Sequence, residues 1–550
     1  MGYQVYVRSF ADSDGDGWGD LAGVRARLDH LAWLGVDVVW LSPFYPSPLR
    51  DGGYDVADYL DVDPRLGSPA ELDALIAQAH ALGLRVLLDL VPNHSSSDHR
   101  WFVAARGDRD SPYRDFYVWR DPAPDGGPPN NWPAHFGGPA WTFDDASGQY
   151  WLHLFLPHQP DLNWESPAVA AAFDDILERW LARGVDGFRI DVAHALVKHP
   201  DLPDLPLAER PAGGGGDGDG GGGDADGDGD ADGDGRAEVT GGIGVGVERA
   251  FERYAHIHDA DQPGVTEIYR RWRAIAERHD ALLLGEVYLL EPERLARYVA
   301  PQDGLHLAFW FAPLHLTWSP EAVRATLREG LEEVGPWLSW PLASHDRPRG
   351  ATAFGGGSLG AARALCLATL VCGLPGMPML YQGEELALAD ADLPAEALQD
   401  PIASRGEPER ARDPARTPIP WEPGPGWGFT DAEQPWLPFG DRRPEDTVAV
   451  QRADPDSWLH RYRALIAVRK ALSELTGPEP WPVWFDAADP VVAYRRGQVV
   501  VAAHCGEEPA TLALEGRART VRFASRRARE GQQVTDALPL DPGEAVVLAP

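Results

Sequence analysis

Residues 187–194 read Gly-Phe-Arg-Ile-Asp-Val-Ala-His and constrain the fold more than any other stretch. Ahead of them, residues 168–183 carry apolar side chains at helical spacing, and Gly184 is placed to close that helix as a C-cap. Residues 185–190 form a short apolar strand, and Asp191 stands just past its end. Helix, glycine, strand and terminal carboxylate make a parallel α/β unit. In barrels built from such units, reactive groups sit at the carboxyl ends of strands. Arg189 lies two residues before Asp191, so both side chains share one face of the strand. An arginine there is expected to keep the carboxylate ionised, with a low pKa, and oriented. Taken alone, the octapeptide fits equally well a strand beside a surface salt bridge.

The pattern recurs. Residues 85–94 (RVLLDLVPNH), 281–286 (ALLLGE) and 341–346 (PLASHD) are strand-like runs ending in acidic or histidine residues. Together with the octapeptide they resemble the four conserved regions of the α-amylase superfamily, glycoside hydrolase family 13. Residues 159–163 (QPDLN) resemble a fifth region found in the α-glucosidase and oligo-1,6-glucosidase subgroup, and residues 376–385 (GMPMLYQGEE) resemble its last barrel strand. The resemblance runs from about residue 3 to 475, apart from one insert. It implies an α/β fold, a (β/α)8 TIM barrel with a small domain B after strand three and a C-terminal antiparallel β domain. The expected division is barrel at 1–94, domain B at 95–160, barrel again at 161–475, and β domain at 476–550.

Composition narrows the partners. The net charge is −36, which argues against nucleic acid, because phosphate binding needs clustered basic charge. No uninterrupted apolar run reaches the roughly eighteen residues of a membrane span. The opening MGYQVYVRSF enters a strand directly, without the charged and apolar regions of a signal peptide. Cys366, Cys372 and Cys505 cannot build a disulfide framework and fit a reducing, cytoplasmic setting.

Along the chain, strand one is expected at residues 4–8. The subgroup has about a dozen further residues before it, so a less well plugged barrel bottom is expected here. Asp12, Asp14, Asp16 and Asp20 then alternate with glycines. Such dense oxygen ligands suit Ca²⁺ or Mg²⁺, although a polar turn with Asp caps has the same appearance. The resemblance implies a structural cation held by these four side chains. A helix is expected at 21–34 and a strand at 36–42. In the loop beyond, Asp51 and Tyr54 match residues that line the subsite for the non-reducing-end glucose. Between His94 and Asp161, Pro, Gly, Trp and Asn dominate, and Phe136 and Phe155 read equally as pocket wall or core. Residues 213–235 are almost only Gly, Asp and Ala, cannot bury apolar surface, and read as a disordered loop. Arg416, in DPARTPIPW, matches an arginine that reaches over the active site, with a surface ion pair as the plainer reading. Alternating runs at 491–495, 499–504 and 545–548 end the chain as strands.

Hydrolysis of a glycosidic bond needs one carboxylate to attack and one carboxylic acid to protonate the leaving oxygen. The resemblance assigns these roles to Asp191 and Glu286, with Asp346 as transition-state stabiliser. Arg189, His94, Gln159 and His345 then contact the sugar or orient these groups. The retaining outcome implies carboxyls roughly 5–5.5 Å apart. The subgroup has Asn where this chain has Ser344, which predicts weaker support for His345. Val192 leans towards α-1,6 linkages, and Ala193-His194 towards α-1,4. The expected activity is an exo-acting retaining α-glucosidase on di- or oligosaccharides, working as a monomer or small homo-oligomer. Oligo-1,6-glucosidase, and a transglycosylase or isomerase such as trehalose synthase or sucrose isomerase, remain alternatives. A non-catalytic relative would normally lack one of the three carboxylates.

Overall fold

A computed structural model describes residues 1–208, 251–299, 303–405, 407–485, 490–514 and 516–550. The Gly/Asp-rich tract read as a disordered loop lies outside these residues. Eight parallel strands close into a barrel: β1 Gly2–Val5, β2 Val38–Leu41, β3 Arg85–Leu90, β4 Gly187–Ile190, β5 Leu282–Gly285, β6 Leu307–Phe309, β7 Leu338–Pro341 and β8 Met377–Tyr381. Each pairs with its sequence neighbours, and β8 returns to β1. Trp40, Leu87, Leu284, Phe309 and Met379 point inwards from five of these strands and pack into a floor, so the barrel is filled rather than hollow.

Strand one starts earlier and ends sooner than its sequence suggests. Its ladder stops at Val5 because the next amides turn to side chains: Tyr6 N donates to Gln382 Oε1 at 2.8 Å and Val7 N to Ser42 Oγ at 3.1 Å. The helix expected at 21–34 is two helices, Leu21–Ala26 and Leu28–Leu34, broken at Arg27. The Arg27 guanidinium packs 4.5 Å from the Trp421 ring and donates to Gly428 O. The helix before β4 spans Pro167–Ala182, and Gly184, with φ of 98°, takes the left-handed turn after it.

Between β3 and β4 lies a three-stranded antiparallel sheet of Trp119–Arg120, Trp141–Asp144 and Gln149–Leu152, with the last strand central. It has its own apolar cluster, which includes Phe136 and Phe155. After the barrel comes a six-stranded antiparallel sheet with Val499–His504 and Ala545–Ala549 at its centre. The Tyr494 hydroxyl of that sheet donates to Leu370 O, which ties the sheet to the barrel helix Gly357–Gly373. The three cysteines are free and buried. No helix among the described residues is long and apolar enough to cross a membrane.

Candidate active site

Register builds the centre of the site. Asp89 on β3 pairs in register with Arg189 on β4, which pairs with Leu284 on β5. Neighbours in register point to the same face, here the barrel interior. Gly187 lets β4 approach β5: a Cβ there would lie 2.1 Å from Leu282 O. Asp191 and Glu286 follow β4 and β5 directly, so both carboxyls fall within reach of one guanidinium. Arg189 Nη1 lies 2.9 Å from Asp89 Oδ1 and 2.5 Å from Asp191 Oδ1, and Nη2 lies 2.8 Å from Glu286 Oε2. Val192 has a φ of 44°, a costly conformation for a β-branched residue, and there its N–H donates to Glu286 Oε2 at 3.0 Å.

Three carboxyls thus share one cation. The expectation that Arg189 keeps the pKa of Asp191 low does not hold. Burial, with Glu286 and Asp89 crowding the same arginine, pushes Asp191 well above the usual carboxylate range despite Arg189. Burial also lifts Asp89 to about 6. Asp89 and Asp191, both raised, are thus answered by the same arginine. Asp191 and Glu286 are held side by side on one guanidinium, the first at Nη1 and the second at Nη2 of Arg189.

A second network closes the pocket. Gln4 Nε2 lies 2.7 Å from His345 Nδ1, His345 Nε2 lies 2.8 Å from Tyr54 Oη, and Tyr54 Oη donates to Asp89 Oδ2 at 3.1 Å. Burial lowers the pKa of His345 to about 3, so the ring is neutral. The amide of Gln4 then donates to Nδ1, and Nε2–H donates onwards to Tyr54, so every donor meets an acceptor. The Tyr54 and His345 rings stack at 5.5 Å and 8°. His345 is therefore well supported without an asparagine at Ser344, whose Oγ accepts from Asp346 N at 3.2 Å.

Asp346 meets two arginines, Arg412 Nη1 at 3.0 Å and Arg416 Nη2 at 2.7 Å. Burial would raise its pKa, but His345, Arg412, Arg416 and Arg189 hold the carboxyl well below its usual range. Arg416 is an interior residue, only 3% exposed, and not part of a surface ion pair. Gln159 Nε2 lies 3.0 Å from both Asp51 Oδ2 and His94 Nε2. Phe155 stands 5.2 Å from His94, and both Phe136 and Phe155 line the pocket while belonging to the apolar cluster of the three-stranded sheet.

Sequence reasoning missed Asp89, Gln4 and Arg412. Asp89 could have been found as the lone acid inside an apolar strand. Arg412 stands one turn before Arg416, and its Nη2 reaches Asp51 Oδ1 at 2.9 Å while Nε holds Asp400 Oδ2 at 2.7 Å.

Away from the pocket, Asp12, Asp14 and Asp20 bring carboxylate oxygens within 4.8 Å of one another. Asp16 is not among them, since it turns to accept from Trp18 N at 2.8 Å. Asp20 also caps the helix Leu21–Ala26 through Gly23 N, and Asp12 accepts from Gly15 N and Gly17 N. Three hard oxygen donors so placed fit a divalent cation.

Residues 4–477 match the family model for the α-amylase catalytic domain. A probable alpha-glucosidase of Rhizobium meliloti is 41% identical, over 85% of this chain and 81% of its own length. An oligo-1,6-glucosidase of Heyndrickxia coagulans is 34% identical, over 86% and 85%. A crystallised alpha-glucosyl transfer enzyme superposes with a TM-score of 0.88 at 35% identity, covering 100% of this chain and 98% of that one. A carboxylate-lined pocket at the carboxyl end of a barrel, with a match along most of its length, places the chain in the α-amylase family of glycoside hydrolases, family 13, beside the α-glucosidases and oligo-1,6-glucosidases.

Proposed function

We propose that the protein is an exo-acting, retaining α-glucosidase that removes glucose from the non-reducing end of short α-glucosides. The observation that carries this reading is the closed end of the pocket. There, the buried Arg412 bridges Asp51 and Asp346 and, with the buried Tyr54 and His345, walls that end of the pocket. A terminal glucosyl unit is held at that end by Asp51, His94, Gln159, His345 and Asp346.

In this reading Asp191 attacks the anomeric carbon, and Glu286 acts as the general acid that protonates the leaving oxygen. Asp346, kept ionised by Arg412 and Arg416, stabilises positive charge on the sugar ring. Water then enters, Glu286 takes its proton, and glucose leaves with its configuration retained.

The reading also takes a structural Ca²⁺ or Mg²⁺ at Asp12, Asp14 and Asp20, outside the chemistry. Three buried free thiols fit a cytoplasmic enzyme. Initial rates on maltose, isomaltose, sucrose and trehalose, with NMR of the first-formed anomer, test the proposal. Expected are α-glucose as first product and loss of turnover, by ~10³-fold or more, in Asp191→Asn and Glu286→Gln. β-Glucose, internal cleavage of long glucans, or near-normal rates in either variant would overturn it.

A further inference from the structure

Arg8 is a buried cation without an anion. It is 7% exposed and lies in the short turn Val7–Ser9 that follows β1. Other buried arginines have their charge answered. Arg412 meets three carboxylates, and Arg469 donates to the carbonyls of Cys372, Leu374 and Gly376. Arg8 makes one hydrogen bond, from Nη2 to Tyr6 Oη at 2.8 Å, and among the described residues no carboxylate pairs with it. Its Nε is buried without a partner. The Trp436 and Trp18 rings, 4.2 Å and 5.2 Å from the guanidinium carbon, hold the cation in place. Ring faces do not accept the remaining N–H bonds, and a buried donor left unpaired is costly.

Gly52, in the loop after β2, shows where these donors lead. A Cβ on Gly52 would meet Tyr6 Oη at 3.1 Å, Arg416 Nη1 at 3.5 Å and Arg8 Nη2 at 3.6 Å. Two guanidiniums and a phenol thus converge beside one half-buried glycine. Arg416 commits Nε to His345 O and Nη2 to Asp346 Oδ1, both at 2.7 Å, and among the described residues its Nη1 has no acceptor. Tyr6 Oη accepts from Arg8 and keeps its own proton free to donate. Asp51, the adjoining acid, turns away, with Oδ1 on Arg412 and Oδ2 on Gln159. The cluster is therefore all donor, with two positive charges that repel each other. A small anion answers both needs at once, since it accepts from the three groups and screens one guanidinium from the other.

We propose that Arg8, Arg416 and Tyr6 form a binding site for a small inorganic anion, chloride or phosphate, beside the sugar-binding end. Arg8, Tyr6 and Gly52 do not line the sugar pocket. The two sites share Arg416, so an anion on its Nη1 steadies the arginine whose Nη2 holds Asp346. Tyr6 adds a second link, because its ring stacks on His345 at 5.6 Å and 28°. The chain as a whole carries a net charge of −36, which repels anions from its surface, so specific binding requires a local donor cluster of this kind.

The test is chloride NMR line broadening by wild type, Arg8→Met and Tyr6→Phe. It is joined by thermal melts in sodium chloride, sodium phosphate and sodium glutamate at equal ionic strength, which keeps screening constant. Wild type should broaden the chloride line and melt higher, by about 2 °C, in the salt of its ligand than in glutamate. Arg8→Met should lose both responses, and Tyr6→Phe should bind several-fold more weakly. In glutamate, Arg8→Met should melt no lower than wild type, because it removes a cation facing Arg416 and keeps an apolar stem against Trp436. Of the two ions, the one giving wild type the larger melting shift over Arg8→Met is the preferred ligand. If neither chloride nor phosphate separates wild type from Arg8→Met in either measurement, the site is overturned and Arg8 is a stacked structural cation. Should Arg8→Met fail to fold, Tyr6→Phe decides: line broadening and salt responses equal to those of wild type would overturn the site.

Discussion

Arg412 Nη2 and Asp51 Oδ1 meet at 2.9 Å across 361 residues of chain, joining the segment after the barrel to the loop after β2. The same guanidinium holds Asp400 and Asp346, so one side chain from outside the barrel shapes the end of a pocket that the barrel strands begin. Arg412→Ala would leave three buried or half-buried carboxylates facing one another. Removing one partner of a buried pair costs ~3–5 kcal/mol, so the melting temperature should fall by several degrees. The kcat/KM on maltose should fall ~10²-fold or more, since positioning is lost as well as charge. A folded variant that retains maltose turnover within threefold would show that this bridge does not form the sugar-binding end.

Gly187 offers a steric test of the barrel at the point where the octapeptide begins. A Cβ at this residue would meet Leu282 O at 2.1 Å and Leu282 N at 2.6 Å, both backbone atoms that cannot rotate away. Gly187→Ala should therefore push β4 off β5, part Arg189 from Glu286, and destabilise by about 3 kcal/mol. Gly107→Ala meets nothing within 4 Å and serves as the control. Denaturant midpoints of the two variants check this, and similar values would refute the close approach.

Much of this architecture is legible because barrels write their sites at strand ends. Asp191 and Glu286 stand immediately after apolar runs, and the fold only has to bring β4 beside β5. What the sequence hides are contacts made across long separations. Arg412 looks like any arginine in a polar loop, because nothing local reveals that it returns to Asp51. Asp89 is easily overlooked because it sits inside a strand, where its value depends on pairing in register with Arg189. The low pKa expected for Asp191 fails for the same reason. Two residues two apart suggest a simple ion pair, whereas the barrel delivers two further acids to one arginine. Strand one is shifted from its expected bounds because side-chain acceptors beyond β8 and β2, invisible locally, end its ladder at Val5.

The acidic loop divides its four aspartates in a way a chelator can detect. Asp14 accepts only a long bond from Asp16 N, at 3.3 Å, so its carboxylate has little structural use unless a cation is bound. Asp12 and Asp20 serve several amides besides. A chelator should lower the melting temperature of wild type, because an ion bound only to the folded state stabilises by mass action. Asp14→Asn should melt lower than wild type and lose the chelator response, whereas Asp16→Asn should keep it. Elemental analysis of the purified protein decides whether Ca²⁺ or Mg²⁺ is present. A metal-free protein with no chelator effect would refute the cation site.

A pH effect on stability should come from Glu384, just after β8. Burial pushes its pKa up to about 8, against the pull of Arg349 and with help from Glu385. Its Oε2 is buried without a hydrogen-bond partner, as befits a neutral acid. Below the ordinary value of 4.5 the group is protonated folded or unfolded, and its contribution is fully present. Between there and about 8 the unfolded chain releases the proton while the folded chain keeps it. The unfolded state then binds fewer protons, so stability falls as pH rises. The loss is complete above the folded pKa and amounts to a few kcal/mol, because each tenfold change in proton affinity between the two states is worth about 1.4 kcal/mol. Glu384→Gln keeps a neutral side chain of the same shape and removes the titration. Urea unfolding of wild type and variant from about pH 5 to about pH 8.5 should give curves that diverge steadily, the variant becoming relatively more stable towards high pH. Asp89, lifted to about 6, contributes a loss of the same sign in both proteins and cancels in the difference. Parallel curves would mean that Glu384 is already ionised in the folded protein, held by Arg349.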